Sequence, residues 1–229
     1  MKIGGLQKLS LIDYPGRLSA VIFTTGCNFR CAFCHNPSLV VPEKYAEDID
    51  EEAVIQFLEE RKKYLGGVVI TGGEPTIHSD LPLFIEKIKK MGYSVKLDTN
   101  GTNPEMIESL INKRLIDYIA MDIKATLKKY SSITCVNLDT EKIIKSIKLI
   151  KDSKISHEFR TTVAPGITYE DIVEVCELVG SSNYYLQPFE SYRKELVGTN
   201  LQAGEAKDKL KEWCMKISEK GKKCILRYD

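Results

Sequence analysis

Net charge is what this sequence most obviously lacks. Its 33 basic and 32 acidic side chains leave +1 over 229 residues. A general nucleic-acid binder needs clustered Lys and Arg to displace counterions. The densest local group, Lys87, Lys89 and Lys90, interleaves with apolar residues like the solvated face of a helix. No nucleic-acid partner is therefore expected. Long apolar runs are missing as well. None approaches the ~18 residues that span a bilayer, and residues 1–18 lack the basic start and roughly 7–15-residue apolar core of a secretory signal. The expectation is a cytoplasmic chain with no membrane partner. Internal repeats, low-complexity tracts and Gly/Ser linkers are also absent. With 43% hydrophobic and 28% charged residues the composition is globular, which excludes disorder and collagen-like structure. The length suits one domain of the larger kind, 1–229, with a sizeable core.

An even set of cysteines is missing too. There are seven, and three of them crowd into Cys27, Cys31 and Cys34. A secreted disulfide scaffold would be shorter, with its cysteines spread more evenly. A tight cluster in a cytosolic chain reads first as a metal site.

What is present is alternation. Short β-rich runs lie at 19–24, 68–71, 94–98, 118–123, 158–163, 184–187 and 223–227. They are apolar and bounded by turn residues, as buried parallel strands should be. Helical patterns fall between them at 51–64, 81–91, 104–112, 141–150, 169–179 and 206–218. Thr168 before Glu170 and Asp171 marks a helix start, and Gly92 and Gly180 mark helix ends. Such alternation implies a parallel α/β sheet. Six or seven units fall short of a complete eight-unit barrel of ~250 residues, so the expected fold is a partial barrel, with a doubly wound sheet as the alternative. In either, functional residues belong at the carboxyl ends of the strands.

The three thiols sit directly after the first of these strands, spaced C-x3-C-x2-C. One loop can therefore wrap a metal group but offers only three thiolates, where a [4Fe–4S] cluster normally takes four. One iron would be left to bind a substrate or cofactor. Structural zinc also wants four ligands. His35 is the available fourth, but it adjoins Cys34 and would strain a tetrahedral site, so spacing and context favour iron–sulfur over zinc. Cys135, Cys176, Cys214 and Cys224 are scattered and lack ligand spacing. Core packing is the reading for most of them. Trp213 and the tyrosines read as packing, and His78 and His157 receive no role.

C-x3-C-x-aromatic-C, with Phe33 as the aromatic, resembles the signature of the radical S-adenosylmethionine (SAM) superfamily. The resemblance implies a partial (β/α)6 barrel. It also implies a [4Fe–4S] cluster on Cys27, Cys31 and Cys34, with SAM chelating the fourth iron and Phe33 and His35 near the adenine. The later strand ends fit the same pattern. Taken alone, Gly72-Gly73-Glu74 is a tight turn, Asp98-Thr99-Asn100-Gly101 is an Asn-Gly turn, and Asp122-Ile123-Lys124 is a solvated ion pair. Together they resemble the family's GGE motif, which contacts the SAM amino group, and the DTNG and D-x-K segments that line the SAM site. The resemblance implies roles for Gly73 first, then Gly72 and Glu74, and for Asp98, Asp122 and Lys124, whose acids can help hold a monovalent cation. Arg160 is placed near the SAM carboxylate, with an outward salt bridge as the competing reading. Glu190 stands where some relatives carry His.

The arrangement Asp13-Tyr14-Pro15-Gly16, then Gly26-Cys27-Asn28, then Cys34-His35-Asn36-Pro37 resembles activases of glycyl radical enzymes, in particular those of anaerobic ribonucleotide reductase. The chain has no inserted ferredoxin-like domain. The implied activity is reductive cleavage of SAM to a 5′-deoxyadenosyl radical that makes a glycyl radical on the partner. Flavodoxin or ferredoxin would supply the electron, and no protein group beyond the cluster and SAM would be catalytic. The alternatives are a radical SAM enzyme acting on a small molecule or peptide, and a non-catalytic iron–sulfur electron-transfer protein.

Overall fold

The computed structural model describes residues 1–190, 196–198, 201 and 204–227. Eight strands form one sheet: β1 (Ile3–Ser10), β2 (Ser19–Thr24), β3 (Gly67–Gly72), β4 (Ser94–Thr99), β5 (Tyr118–Asp122), β6 (Ser156–Val163), β7 (Tyr184–Pro188) and β8 (Cys224–Leu226). Their spatial order is their chain order. β2 to β8 are parallel, and only β1 runs antiparallel, along β2. The helices between them are α1 (Pro37–Val40), α2 (Glu51–Arg61), α3 (Leu81–Lys90), α4 (Pro104–Asn112), α5 (Tyr130–Thr134), α6 (Glu141–Asp152), α7 (Tyr169–Val179) and α8 (Lys207–Glu219).

The sequential order decides between the two expected architectures. A doubly wound sheet reverses its winding at a switch point, and this sheet has no reversal. Right-handed crossovers of one sense put every helix on one face and curl the sheet toward a barrel. β2 to β7 with their following helices make the six expected units, and β1 and β8 are added strands. Local signals set the helix ends. Asp50 and Asn103 cap α2 and α4 through their side chains, Thr168 and Asp171 form a reciprocal capping box on α7, and Gly180 ends that helix at φ 67°.

β1 was not expected. Its sequence IGGLQKLS has no apolar alternation, and only its terminal residues are buried. It belongs to the sheet through backbone pairing. Gly4 is needed there because a Cβ would fall 2.5 Å from Leu39 and Thr25 side-chain atoms.

The main core lies between strands and helices and holds Ile22, Val68, Ile70, Leu97, Ile119 and Phe159 with the apolar faces of α2 to α8. The opposite strand face, inside the curl, is different. Tyr14, Val21 and Val69 make a small apolar cluster there, with Phe23 and Tyr118 against it. Above it the alternate positions of β4, β5 and β6 are charged. Strands expected to be apolar on both faces are therefore apolar on one and ionic on the other. Glu158 is fully buried, accepting from both Arg227 terminal nitrogens (2.6 and 2.8 Å) and from the Tyr118 hydroxyl (2.8 Å). Removing one partner of such a pair leaves a stranded charge. Arg227→Leu is expected to cost about 3 kcal/mol in equilibrium urea unfolding, and a change below about 0.5 kcal/mol would mean water already solvates Glu158.

Candidate functional site

The cysteine loop leaves β2 at its carboxyl end and is tied down along its length. Gly26, at φ +102°, donates to the Leu39 carbonyl at 2.7 Å. The Arg30 guanidinium donates to the carbonyls of Cys27 (2.6 Å) and Phe29 (2.7 Å), and its own N–H reaches the Thr134 carbonyl (2.9 Å). The Cys34 N–H closes a turn on the Cys31 carbonyl (3.0 Å), and the Phe29 N–H points at the Cys27 sulfur (3.4 Å).

A buried polar network joins this loop to the next two strand ends. Asn28 donates to the Thr102 hydroxyl (2.7 Å) and accepts from the Asn100 amide (2.8 Å). The Asn100 backbone N–H donates to Glu74 Oε2 (2.6 Å), and Glu74 Oε1 takes the Thr99 hydroxyl (2.7 Å) and the Thr76 N–H and hydroxyl. Glu74 is 1% exposed. Burial pushes its carboxyl up, against the pull of these donors. Its oxygens are occupied by the turns after β3 and β4, so it positions those turns. Gly72 and Gly73 press the same turn onto the cysteine loop. A Cβ on Gly73 would lie 1.9 Å from the Gly26 carbonyl oxygen, and one on Gly72, at φ +114°, would lie 2.3 Å from the Thr24 nitrogen. The Gly73 N–H is taken by Thr24 (2.9 Å), so what it can offer a ligand is its carbonyl.

On the other side runs a row of alternating charge. Lys96 pairs with Asp98 (2.5 Å), Asp98 with Arg160 (3.0 Å), Arg160 with Asp122 (2.7 Å) and Asp122 with Lys124 (3.0 Å). Strand register builds it, since Asp122 lies beside Arg160 and alternate residues share a face. Burial would raise the Asp122 carboxyl, but Arg160 and then Lys124 outweigh it and hold it well below the usual carboxylate range. Lys124 also acts on two thiols. Burial pushes Cys27 up to about 12 and Cys31 up to about 11, and the Lys124 ammonium pulls both back. The depressed Asp122 carboxyl makes stability pH-dependent. Its contribution is complete above the unfolded value near ~3.9 and is lost as pH falls toward the lower folded value. Wild type is expected to lose more stability than Asp122→Asn between about pH 5 and pH 3, read by urea unfolding. Equal losses would show that Asp122 is not the group responsible.

Eleven of the twelve residues picked from the sequence line a single cavity of about 220 Å³: Cys27, Cys31, Phe33, Cys34, His35, Gly72, Gly73, Glu74, Asp98, Asp122 and Lys124. Arg160 does not line it. It lies behind Asp98 and Asp122 and bridges them, an inward pairing and not an outward salt bridge. The monovalent cation fits poorly. Each of the four oxygens of Asp98 and Asp122 already meets Lys96, Arg160 or Lys124. His35 stacks on Phe189 (centroids 5.7 Å apart, planes at 11°), and its Nε2 lies 3.1 Å from the Glu190 carbonyl. Glu190 therefore meets His35 through its backbone, while its carboxylate lies 3.7 Å from Lys207. Asn28, Thr76, Thr102, Lys96 and Phe189 were not anticipated. Asn28 and Thr99-Asn100 stood inside quoted motifs, but nothing in one sequence shows that they bond to each other.

The donor set suits an iron–sulfur cluster, with three soft thiolates on one loop around one cavity and a backbone N–H aimed at a sulfur. Among the described residues no three His, Cys, Asp or Glu side chains gather tightly enough for a single metal ion, which does not favour the zinc reading. The family model of the radical SAM superfamily matches residues 21–179, the stretch that contains all twelve residues picked from the sequence. This chain belongs to the radical SAM superfamily. As a radical SAM protein it is an enzyme that uses a [4Fe–4S] cluster and SAM.

Its relatives include a candidate glycyl-radical enzyme activating enzyme of Methanocaldococcus jannaschii, 40% identical over 82% of this chain and 80% of that protein. The 7-carboxy-7-deazaguanine synthase of Aquifex aeolicus is 30% identical over 92% and 85%. The pyruvate formate-lyase-activating enzyme of Listeria monocytogenes is 32% identical over 54% of this chain and 53% of its own length, so the match spans about half of that protein. Among solved structures, SuiB of Streptococcus suis bound to S-adenosylmethionine superposes with a TM-score of 0.66 at 13% identity, covering 92% of this chain and 46% of that one. This last likeness is one of fold. No helix among the described residues is long and apolar enough to cross a membrane.

Proposed function

We propose that the chain is one radical SAM domain over 1–229 that activates a glycyl radical enzyme, with anaerobic ribonucleotide reductase as the partner and flavodoxin or ferredoxin as the electron donor. The observation that carries the activase reading is the 40% identity to the M. jannaschii activating enzyme over most of both chains. The Asp13-Tyr14-Pro15-Gly16 and Cys34-His35-Asn36-Pro37 segments support the choice of partner.

In this reading Cys27, Cys31 and Cys34 hold the cluster and leave one iron for the amino and carboxylate groups of SAM. Bound there, cluster and SAM would supply the one-electron and radical chemistry that hydrogen-atom abstraction from a glycine Cα needs. The protein's own part is positioning. The Gly73 carbonyl, its own N–H being taken by Thr24, would accept from the SAM amino group. Lys96, Arg160 and Lys124 against Asp98 and Asp122 leave the charge row at +1 (three cations less two anions), a field that suits the SAM carboxylate. Phe33 and His35, the latter held by stacking on Phe189, would lie near the adenine. The Asn28–Asn100–Glu74 network holds the loop in place, and the walls limit water.

The test is anaerobic incubation of the cluster-loaded protein with SAM, reductant and purified reductase. The expected result is a glycyl-radical doublet in electron paramagnetic resonance. A second reading, a small-molecule radical SAM enzyme, draws on the 30% identity to the deazaguanine synthase over nearly the whole chain. Turnover of a small-molecule substrate, with no radical on any glycyl radical enzyme, would favour it over the first.

A further inference from the structure

Three cysteines outside the site, on three different elements, are brought together by the C-terminal third of the fold. Cys176 lies on α7, Cys214 on α8, and Cys224 opens β8, and all three are buried. The sulfurs of Cys214 and Cys224 are 3.0 Å apart, and Cys176 lies near Cys224. Two thiolates sharing a zinc, each ~2.3 Å from it in a tetrahedron, stand roughly 3.8 Å from each other. A disulfide spans about 2.05 Å. The Cys214–Cys224 separation falls between the two, too short for thiolates on a shared zinc, and no three ligands among the described residues gather for a single metal ion.

We propose that Cys214 and Cys224 are a dithiol–disulfide couple that staples β8 to α8. Both thiols are shielded, so reaction needs a local opening, and β8 is suited to one. It is a three-residue edge strand paired only with β7 among the described residues, and such elements open well below the global unfolding energy. The hydrogen bond between the two sulfurs lets one thiol ionise at the expense of the other. The balance is the same whichever thiol attacks first, and Cys214 serves as the example. The co-reactant is a low-molecular-weight disulfide, R–S–S–R. Cys214 attacks one of its sulfurs, and the departing thiolate takes the proton that Cys214 gave up. Cys224 then attacks the Cys214 sulfur of the mixed disulfide, and the second R–S⁻ leaves with the Cys224 proton. Two protein thiols are oxidised, and one disulfide is reduced to two thiols.

The staple acts on the barrel's interior through Arg227. That residue follows β8 directly, donates its backbone N–H to the Leu186 carbonyl at 2.9 Å and grips Glu158 with its guanidinium. Fixing Cys224 to α8 fixes the strand that carries Arg227 to Glu158.

Full-length, cluster-loaded protein is to be incubated anaerobically with hydroxyethyl disulfide, quenched with N-ethylmaleimide and digested with trypsin. The expected product is the peptide 212–216 linked to 224–227, two hydrogens lighter than the free pair. The oxidised protein should also melt several degrees above the reduced form. Cys176→Ser retains both effects, and Cys214→Ala loses both. Recovery of both cysteines as maleimide adducts at every disulfide concentration would overturn the proposal. So would Cys224 linked to Cys176 instead, or a linkage with no rise in melting temperature.

Discussion

Cys31→Ala is expected to yield a folded protein with iron and sulfide near zero and no detectable SAM cleavage. Three thiolates are the least that can hold a cluster with one open iron, since the usual number is four. Removing one leaves two ligands for four irons. Cys31 is also the most shielded of the three, 6% exposed at the inner side of the loop, where a replacement water would be poorly placed. The fold should tolerate the change. The loop is held by Arg30, Asn28 and the Cys31 backbone carbonyl, none of which needs the sulfur. A loss of about 1 kcal/mol, ordinary for a single substitution, is expected. Iron and sulfide analysis, visible absorbance and circular dichroism read the two effects separately. A cluster that persists in a folded variant would remove Cys31 from the ligand set.

Gly73→Ala should damage both stability and SAM binding. Its Cβ would sit 1.9 Å from the Gly26 carbonyl oxygen and 2.6 Å from the Gly26 carbonyl carbon. Both are backbone atoms at the root of the cysteine loop, so no side-chain rotation relieves the overlap. The turn after β3 must part from the loop, and the Gly73-to-Thr24 and Glu74-to-Gly26 hydrogen bonds (2.9 and 2.8 Å) part with it. Overpacking of this kind costs about 1–3 kcal/mol, and at least a tenfold loss of SAM affinity is expected, about 1.4 kcal/mol. Gly92→Ala is the control. Gly92 has φ +92° and no atom within 4 Å of a built Cβ, so it carries only the left-handed backbone strain, roughly 1–2 kcal/mol, and no change in SAM binding. If the two variants matched in both measurements, the contact between the two turns would not matter to the site.

The parts of this protein that were legible in advance are those encoded by neighbours in sequence. Cys27, Cys31 and Cys34 lie within one short loop, so their spacing alone limits what they can hold. The strand runs ending in Gly72-Gly73, Asp98 and Asp122 put their motifs at carboxyl ends whatever the winding, because parallel strands share a direction. Thr168 and Asp171 announced their helix start because a cap is completed within four residues. β1 escaped because its place depends on pairing and not on pattern.

Other features depend on residues far apart in the chain, and only the folded arrangement decided them. Strand order, which chooses the curled sheet over the doubly wound one, is a property of crossovers and leaves no local mark. Arg160 was noticed, but its place behind Asp98 and Asp122 comes from the register of β4, β5 and β6. Glu74 clamps two turns together, and its partners Thr99 and Asn100 lie some 25 residues away. Cys176, Cys214 and Cys224 have no common spacing, yet packing of α7, α8 and β8 puts the Cys214 and Cys224 sulfurs 3.0 Å apart. Backbone geometry and hydrogen bonding act over a few residues and are written in the local sequence. Burial and the pairing of charges act across the sheet, and they take effect only once the strands lie side by side.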